Sequence, residues 1–133
     1  MTNNELMALA IKAREKSYCK YSGFAVGAAL LAKSGKVYLG CNVENASFSP
    51  TCCAERTAFF SAVAAGEREF SAIAVCGGKH DQGEKQRSKC TPCGVCRQVM
   101  SEFCDKDFII IMEDGDDTVS VTLEELLPFA FTI

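Results

Sequence analysis

The sequence predicts an α/β protein, a three-layer αβα sandwich in which helices cover both faces of a mixed five-stranded sheet. Two apolar segments that flank a turn come early in the chain and indicate an antiparallel hairpin. After them, segments with helical and strand character alternate, which is the pattern of parallel crossovers. One sheet can contain both kinds of connection only if its strands are mixed in direction.

Length and composition favour one globular unit. The chain has 133 residues, and because domains are typically about 100–200 residues long, we predict a single domain over residues 1–133. Nearly half of the residues are hydrophobic (48%), which is enough to fill one core. The sequence has no run of about 18 apolar residues, and residues 1–5 lack the pattern of a signal peptide. We therefore expect a soluble, cytoplasmic protein without a membrane partner.

A capped helix and a hairpin open the chain. Thr2 and Glu5 have the spacing of a capping box, after which apolar residues recur at helical intervals. Segments 24–32 and 37–43 are apolar and partly β-branched, and the turn-prone residues 33–36 separate them. We therefore predict an amphipathic helix followed by an antiparallel hairpin.

The rest of the chain alternates between predicted helices and strands. Residues 52–65 are rich in helix formers and stop at Gly66, the residue type expected just past a helix end. Two short apolar runs bounded by turn residues predict interior strands, and Pro92 suits the start of the helix between them. A capping box introduces a last short helix. The predicted segments are a strand at 70–76, a helix at 93–103, strands at 108–112 and 119–121, and a helix at 123–127.

The charge of the chain argues against a polymeric nucleic acid as partner. Seventeen acidic residues outnumber fourteen basic ones, so the net charge is −3. A protein that binds the phosphate backbone typically carries a basic patch or an overall positive charge. We therefore expect a small-molecule ligand and not a polynucleotide.

Nine cysteines are many for a chain of this length, and two groups of them lie at predicted helix starts. An odd count without a secretory signal argues against a disulfide framework. After Pro92, Cys93 and Cys96 form a C-x-x-C motif whose sulfurs, three residues apart, can reach one ion. Alone, this motif is also compatible with a redox pair, half of a structural zinc site, or two buried thiols.

A second cysteine motif, far upstream, makes a metal site more specific. Cys53 lies at the start of the other predicted helix and is followed by Glu55 and Arg56. Three thiolates on Zn²⁺ leave the fourth tetrahedral position open to water, as in catalytic sites. Glu55 has the chemistry to move protons, and the Arg56 cation can offset the charge of the thiolates.

The neighbouring Cys52 and Cys90 leave two questions open. Either could close the tetrahedron as a fourth ligand, and the site would then be structural. Either could also be mistaken for a ligand by a shift of register; we choose Cys53 because only this cysteine precedes Ala54 and Glu55. Residues two apart do not face the same side of a regular helix, so Cys53 and Glu55 share a site only if Cys53 lies where the helix begins.

Five motifs are spread over nearly the whole chain: FAVGAA at 24–29, NVENAS at 42–47, CAER at 53–56, PCGVCRQ at 92–98, and LLP with a later Phe at 126–131. With these motifs the chain resembles the cytidine deaminase family of zinc-dependent enzymes. The resemblance implies the cytidine deaminase-like fold and a Cys53 at the helix start. It further implies that Cys53, Cys93 and Cys96 bind one Zn²⁺ per chain. Glu55 would then be the catalytic proton carrier and Arg56 the compensating charge.

The resemblance also implies the substrate contacts and the assembly. Asn42 and Glu44 would hydrogen-bond the ribose hydroxyls of a free nucleoside. Phe24 would line the base pocket, and the Ala54 backbone would contact the pyrimidine carbonyl. Phe131 would stack over the base bound to a neighbouring subunit of a homotetramer with shared active sites. The implied reaction converts cytidine and deoxycytidine to uridine and deoxyuridine in pyrimidine salvage.

Other functions remain open at this point. Blasticidin S deaminases share the zinc motifs, although the stretch 42–45 would be unexpected in them. An RNA or DNA deaminase would need a basic groove and stacking aromatics. A structural zinc module closed by Cys52 or Cys90 would have no activity.

The sequence departs from the family at Phe48, where many relatives have Tyr, and in the loop at 79–89, which is longer than usual.

Overall fold

The computed structural model describes residues 1–80 and 87–133. Within these ranges the elements are α1 (Asn3–Arg14), β1 (Phe24–Ala32), β2 (Val37–Cys41), α2 (Ala54–Ala64), β3 (Phe70–Lys79), α3 (Gly94–Phe103), β4 (Ile109–Asp114), β5 (Asp117–Thr122) and α4 (Leu123–Leu126). Each predicted helix and strand is present. The interior of the predicted loop at 79–89, residues 81–86, lies outside the described residues. No helix in the described ranges is long and apolar enough to cross a membrane.

The five strands form one mixed sheet with the order β2-β1-β3-β4-β5. Strand β1 pairs antiparallel with β2 and with β3, and β4 pairs antiparallel with β5. The pairing of β3 with β4 is parallel, because α3 carries the chain back to the starting edge of the sheet between them. The predicted hairpin, crossover and mixed sheet are thus confirmed.

Alternating strand residues bury two separate apolar clusters, one on each face of the sheet. In β3, Ile73 and Val75 pack in the cluster that contains the buried residues of α2 and α3. The alternate residues of the same strand, Ala74 and Cys76, pack in the second cluster, which is formed with α1. Helix α1 therefore covers one face and α2 and α3 the other, as the three-layer prediction requires.

Gly40 on β2 lets α2 lie directly against the sheet. A Cβ at this position would collide with the carbonyl oxygen of Ala54 and would lie 2.6 Å from the backbone nitrogen of Ala58. The first turn of α2 therefore packs on the β2 backbone itself, which fixes where this helix begins. That first turn follows directly after Cys53.

Strands β2 to β5 end at other residues than the sequence predicts, and for β2 and β3 long-range contacts explain the difference. β2 stops at Cys41, because at the next residue the side chain of Asn42 forms hydrogen bonds with the backbone of β1. Its Oδ1 accepts from the N–H of Val26 at 2.9 Å, and its Nδ2 donates to the carbonyl of Phe24 at 2.8 Å. β3 continues through Gly77-Gly78 to Lys79 because these residues pair with the start of β1. The glycines do not end the strand.

Candidate active site

The two cysteine motifs meet where α2 and α3 begin. Cys53 is the N-cap of α2 and Cys93 the N-cap of α3, both in extended conformation. The sulfur of Cys93 lies 3.7 Å from that of Cys53 and 3.5 Å from that of Cys96, and all three lie within 4.8 Å of one another. Sulfur ligands of one tetrahedral zinc, at about 2.3 Å from the metal, are about 3.8 Å apart. The three thiols therefore have the chemistry and the spacing to hold one zinc ion.

The N-cap position explains how Cys53 and Glu55 share one site. Cys53 precedes the first helical residue, so the spacing rule of a regular helix does not apply to it. Glu55 is the second residue of α2, and only 4% of its surface is exposed. Burial raises the pKa of Glu55 to about 7, and the charge of Cys53 acts in the same direction. The structure thus buries a carboxyl group beside the sulfur cluster.

Arg56 provides a positive charge next to the sulfurs. Its Nη2 donates a hydrogen bond to the sulfur of Cys53 at 3.3 Å. A hydrogen bond from Cys96 and the contact with Arg56 together lower the pKa of Cys53 to about 5. Cys53 is therefore a thiolate at neutral pH, which is the form that binds a metal. The guanidinium of Arg56 offsets part of the negative charge of the sulfur cluster.

Cys52 and Cys90 do not join the sulfur cluster. Among the described residues, the only Cys, His, Asp or Glu side chains close enough to share an ion there are Cys53, Cys93 and Cys96. Cys52 instead pairs through its backbone with Val43, in two hydrogen bonds of 2.9 Å. Burial raises the pKa of Cys90 to about 12, so this thiol stays neutral. The arrangement favours an open fourth position over a four-cysteine site.

Asn42 is buried, and its side chain is held in one orientation. Its Oδ1 accepts hydrogen bonds from the N–H of Val26 and the hydroxyl of Ser17, and its Nδ2 donates to the carbonyl of Phe24. A side-chain amide has two N–H donors, so one donor remains for a ligand. Asn42 can therefore donate to a bound hydroxyl but has little capacity left to accept.

Glu44 is held by the turn that precedes β1. Its Oε1 accepts from the backbone N–H groups of Tyr21 and Ser22, each at 3.0 Å, and its Oε2 accepts from the hydroxyl of Ser22. The hydrogen bonds from Ser22 lower the pKa of Glu44, so the group is a carboxylate at neutral pH. A carboxylate offers about four acceptor positions, which leaves one for a ligand. Ser22 could not be identified as a partner of Glu44 from the sequence, because no motif spacing links two residues so far apart in the chain.

The remaining predicted residues lie in three different settings. Phe24 is partly buried at the start of β1, where Gly77 leaves room for its ring and for the sulfur of Cys90. Ala54 is fully buried as the first residue of α2. Phe131 is 69% exposed, and its carbonyl accepts from Nε2 of Gln98 at 3.0 Å. The ring of Phe131 is therefore not part of the core of its own chain.

Comparison with known proteins agrees with this site. The sequence model described as the cytidine and deoxycytidylate deaminase zinc-binding region matches residues 1–112. The cytidine deaminase of Sporosarcina psychrophila is 45% identical, over 99% of this chain and 93% of its own. That of Halalkalibacterium halodurans is 46% identical, over 99% of this chain and 96% of its own.

A crystal structure of the cytidine deaminase from Burkholderia pseudomallei superposes with a TM-score of 0.88. The two chains are 48% identical, and the match covers 98% of this chain and 100% of the other. Fold and sequence thus agree with these cytidine deaminases over nearly the full length. The chain is therefore an enzyme of the cytidine and deoxycytidylate deaminase family.

Proposed function

We propose that the protein hydrolyses the exocyclic amine of cytidine and deoxycytidine, with water as co-substrate and ammonia as second product. The observation that carries this proposal is the cluster of three sulfurs beside the buried Glu55. Cys53, Cys93 and Cys96 would hold one zinc ion, for which no fourth ligand is found among the described residues. A bound zinc ion would act as a Lewis acid and lower the pKa of water to about 7.

Glu55 carries the protons in the proposed reaction. Hydrolysis requires that water loses a proton and that the ring nitrogen and then the leaving amine gain one. Glu55 is buried beside the sulfurs, where its carboxyl group is kept from bulk water. It would take the proton from water and pass protons to the ring and the amine. Arg56 would offset the charge of the thiolates during these steps.

The hydrogen-bonding capacity left on Asn42 and Glu44 favours a nucleoside. One free N–H on Asn42 and one free acceptor on Glu44 suit sugar hydroxyls, which both accept and donate. The carboxylate of Glu44 would repel a phosphate group in the same place. Both cytidine and deoxycytidine keep a hydroxyl that this pair can bind. We propose that the reaction serves pyrimidine salvage, which reuses free nucleosides, and that it takes place in the cytoplasm.

Zinc-loaded protein is expected to lower the absorbance of cytidine and of deoxycytidine on the long-wavelength side of the base's ultraviolet band, because deamination changes the chromophore of the base. The same assay on blasticidin S and on single-stranded DNA tests the other substrate classes. We expect little or no turnover of either, because neither presents free sugar hydroxyls as a nucleoside does. Turnover of one of them, with both nucleosides unchanged, would refute the proposed substrate.

We further propose that the enzyme is a homotetramer whose subunits share active sites. The C-terminal segment exposes large apolar side chains, which is typical of an interface. They are Phe129, Phe131 and Ile133. Gln98 on α3 donates a hydrogen bond to this segment, and Cys93 is the N-cap of the same helix. A neighbouring chain could therefore receive the ring of Phe131 in its base pocket.

Phe131→Ala is expected to raise KM for cytidine about tenfold with a smaller effect on kcat, because stacking of an aromatic ring on a base contributes roughly 1–3 kcal/mol. Steady-state kinetics on zinc-loaded enzyme measures this change, and size-exclusion chromatography checks the assembly. Phe60→Ala is the control, since it removes an exposed ring of α2 that lies outside the C-terminal segment. Equal kinetics for Phe131→Ala and wild type would contradict the shared site.

A further inference from the structure

We infer that Ser22 is a positioning residue that orients the carboxylate of Glu44 and thereby sets how strongly the enzyme depends on the sugar hydroxyls. The inference rests on the proposed function. The hydroxyl of Ser22 donates to Oε2 of Glu44 and at the same time accepts from the backbone N–H of Phe24 at 3.0 Å. One side chain therefore contacts both the proposed sugar ligand and the residue proposed to line the base pocket.

The hydroxyl of Ser22 contacts the oxygen of Glu44 that still has capacity for a ligand. Oε1 of Glu44 is filled by two backbone N–H groups, from Tyr21 and Ser22. Oε2 accepts only from the hydroxyl, so its second acceptor position is the one left for a sugar. Hydrogen bonds to a carboxylate are short and strong, and this one fixes the rotation of the carboxylate plane. Ser22 therefore determines where the free acceptor of Glu44 points.

Apart from the N–H of Phe24, which donates to this hydroxyl, the turn is held by backbone hydrogen bonds. The N–H of Tyr18 donates to Asn42 at 3.0 Å, and the N–H of Glu44 donates back to Tyr18 at 2.9 Å. Within the turn, the N–H of Gly23 donates to Cys19 at 2.8 Å, and Gly23 adopts the positive φ of 69° that glycine tolerates. Removal of the Ser22 hydroxyl should therefore release Oε2 of Glu44, while the backbone and its two hydrogen bonds to Oε1 stay in place.

Ser34 offers a matched control elsewhere in the same chain. Its hydroxyl donates to Glu67 and accepts from the backbone N–H of Lys36, two residues on, as Ser22 does from Phe24. Ser34 lies in the turn between β1 and β2, at the opposite end of β1 from Ser22. Ser34→Ala thus removes the same kind of interaction away from the proposed substrate contacts.

The test compares cytidine with 2′,3′-dideoxycytidine, which has the same base but lacks both sugar hydroxyls. With zinc-loaded full-length enzyme, Ser22→Ala is expected to lower kcat/KM for cytidine on the order of tenfold, mainly through KM. For dideoxycytidine we expect a change below about twofold, because Glu44 has no hydroxyl to bind there. Ser22→Thr, which keeps the hydroxyl, should restore the kinetics with cytidine, and Ser34→Ala should match wild type with both substrates.

A double-mutant cycle with Glu44→Gln provides the second measurement. If Ser22 acts through Glu44, adding Ser22→Ala to Glu44→Gln should cost less than about a further twofold with cytidine. Equal losses with both nucleosides, full additivity in the cycle, or no loss at all would each overturn the inference. Wild-type enzyme that deaminates neither nucleoside would instead refute the proposed function, and the inference with it.

Discussion

Glu55→Gln is expected to lower kcat for cytidine by about 10²–10⁴-fold, the range that proton transfer by a positioned group contributes. Glutamine has nearly the same size and shape, so it can fill the buried position of Glu55. Its amide cannot take a proton from water and return it to the base. Zinc content should stay at one per chain, because Glu55 is outside the group of three sulfurs that would bind the ion.

The measurement combines turnover of cytidine with metal analysis on the same preparations. Glu102→Gln, on the exposed surface of α3, is the control for removing one carboxylate from the protein. A Glu55→Gln enzyme with wild-type kcat would exclude Glu55 as the proton carrier. Loss of zinc together with activity would show that Glu55 acts on the metal site and not on the substrate.

Those parts of the fold that depend on nearby residues were predictable from the sequence. Both capping boxes, Thr2 with Glu5 and Thr122 with Glu125, are present with the predicted pairs of hydrogen bonds. The end of β3 was not predictable, because it depends on pairing with β1, about fifty residues earlier in the chain. Local turn propensity suggested a stop at Gly77, and the sheet pairing outweighs it.

In the candidate site too, the features that depend on nearby residues were predictable, and those that depend on distant residues were not. The spacing of Cys93 and Cys96 is local, and it correctly indicated two sulfurs able to share an ion. That Cys53 is the N-cap of α2 followed only from the resemblance, and the structure confirms it. The contacts of Ser22 with Glu44 and of Asn42 with β1 join side chains to distant residues in the chain. No periodicity or motif spacing encodes such contacts, so only the structure could show them.

Cys93→Ser is expected to reduce zinc from one per chain to a small fraction and to abolish cytidine turnover. A serine hydroxyl stays protonated at neutral pH, whereas zinc binds the thiolate, so affinity should fall by more than about 100-fold. The substitution is chosen because Cys93 is also the N-cap of α3, where its sulfur accepts from the N–H of Cys96. Serine is a good N-cap, so the helix should keep its start.

The Cys52→Ser variant helps to distinguish a catalytic zinc site from a structural zinc site. Cys52 contacts Val43 through its backbone and lies outside the sulfur cluster, so this variant should keep its zinc and its activity. In a structural site closed by Cys52, loss of either residue would release the metal, and loss of metal would unfold the protein. Metal analysis, turnover and thermal unfolding of the two variants therefore distinguish the alternatives. Zinc lost from Cys93→Ser but kept by Cys52→Ser, with Cys93→Ser still folded, would exclude a structural site closed by Cys52, and the same result for Cys90→Ser would exclude one closed by Cys90.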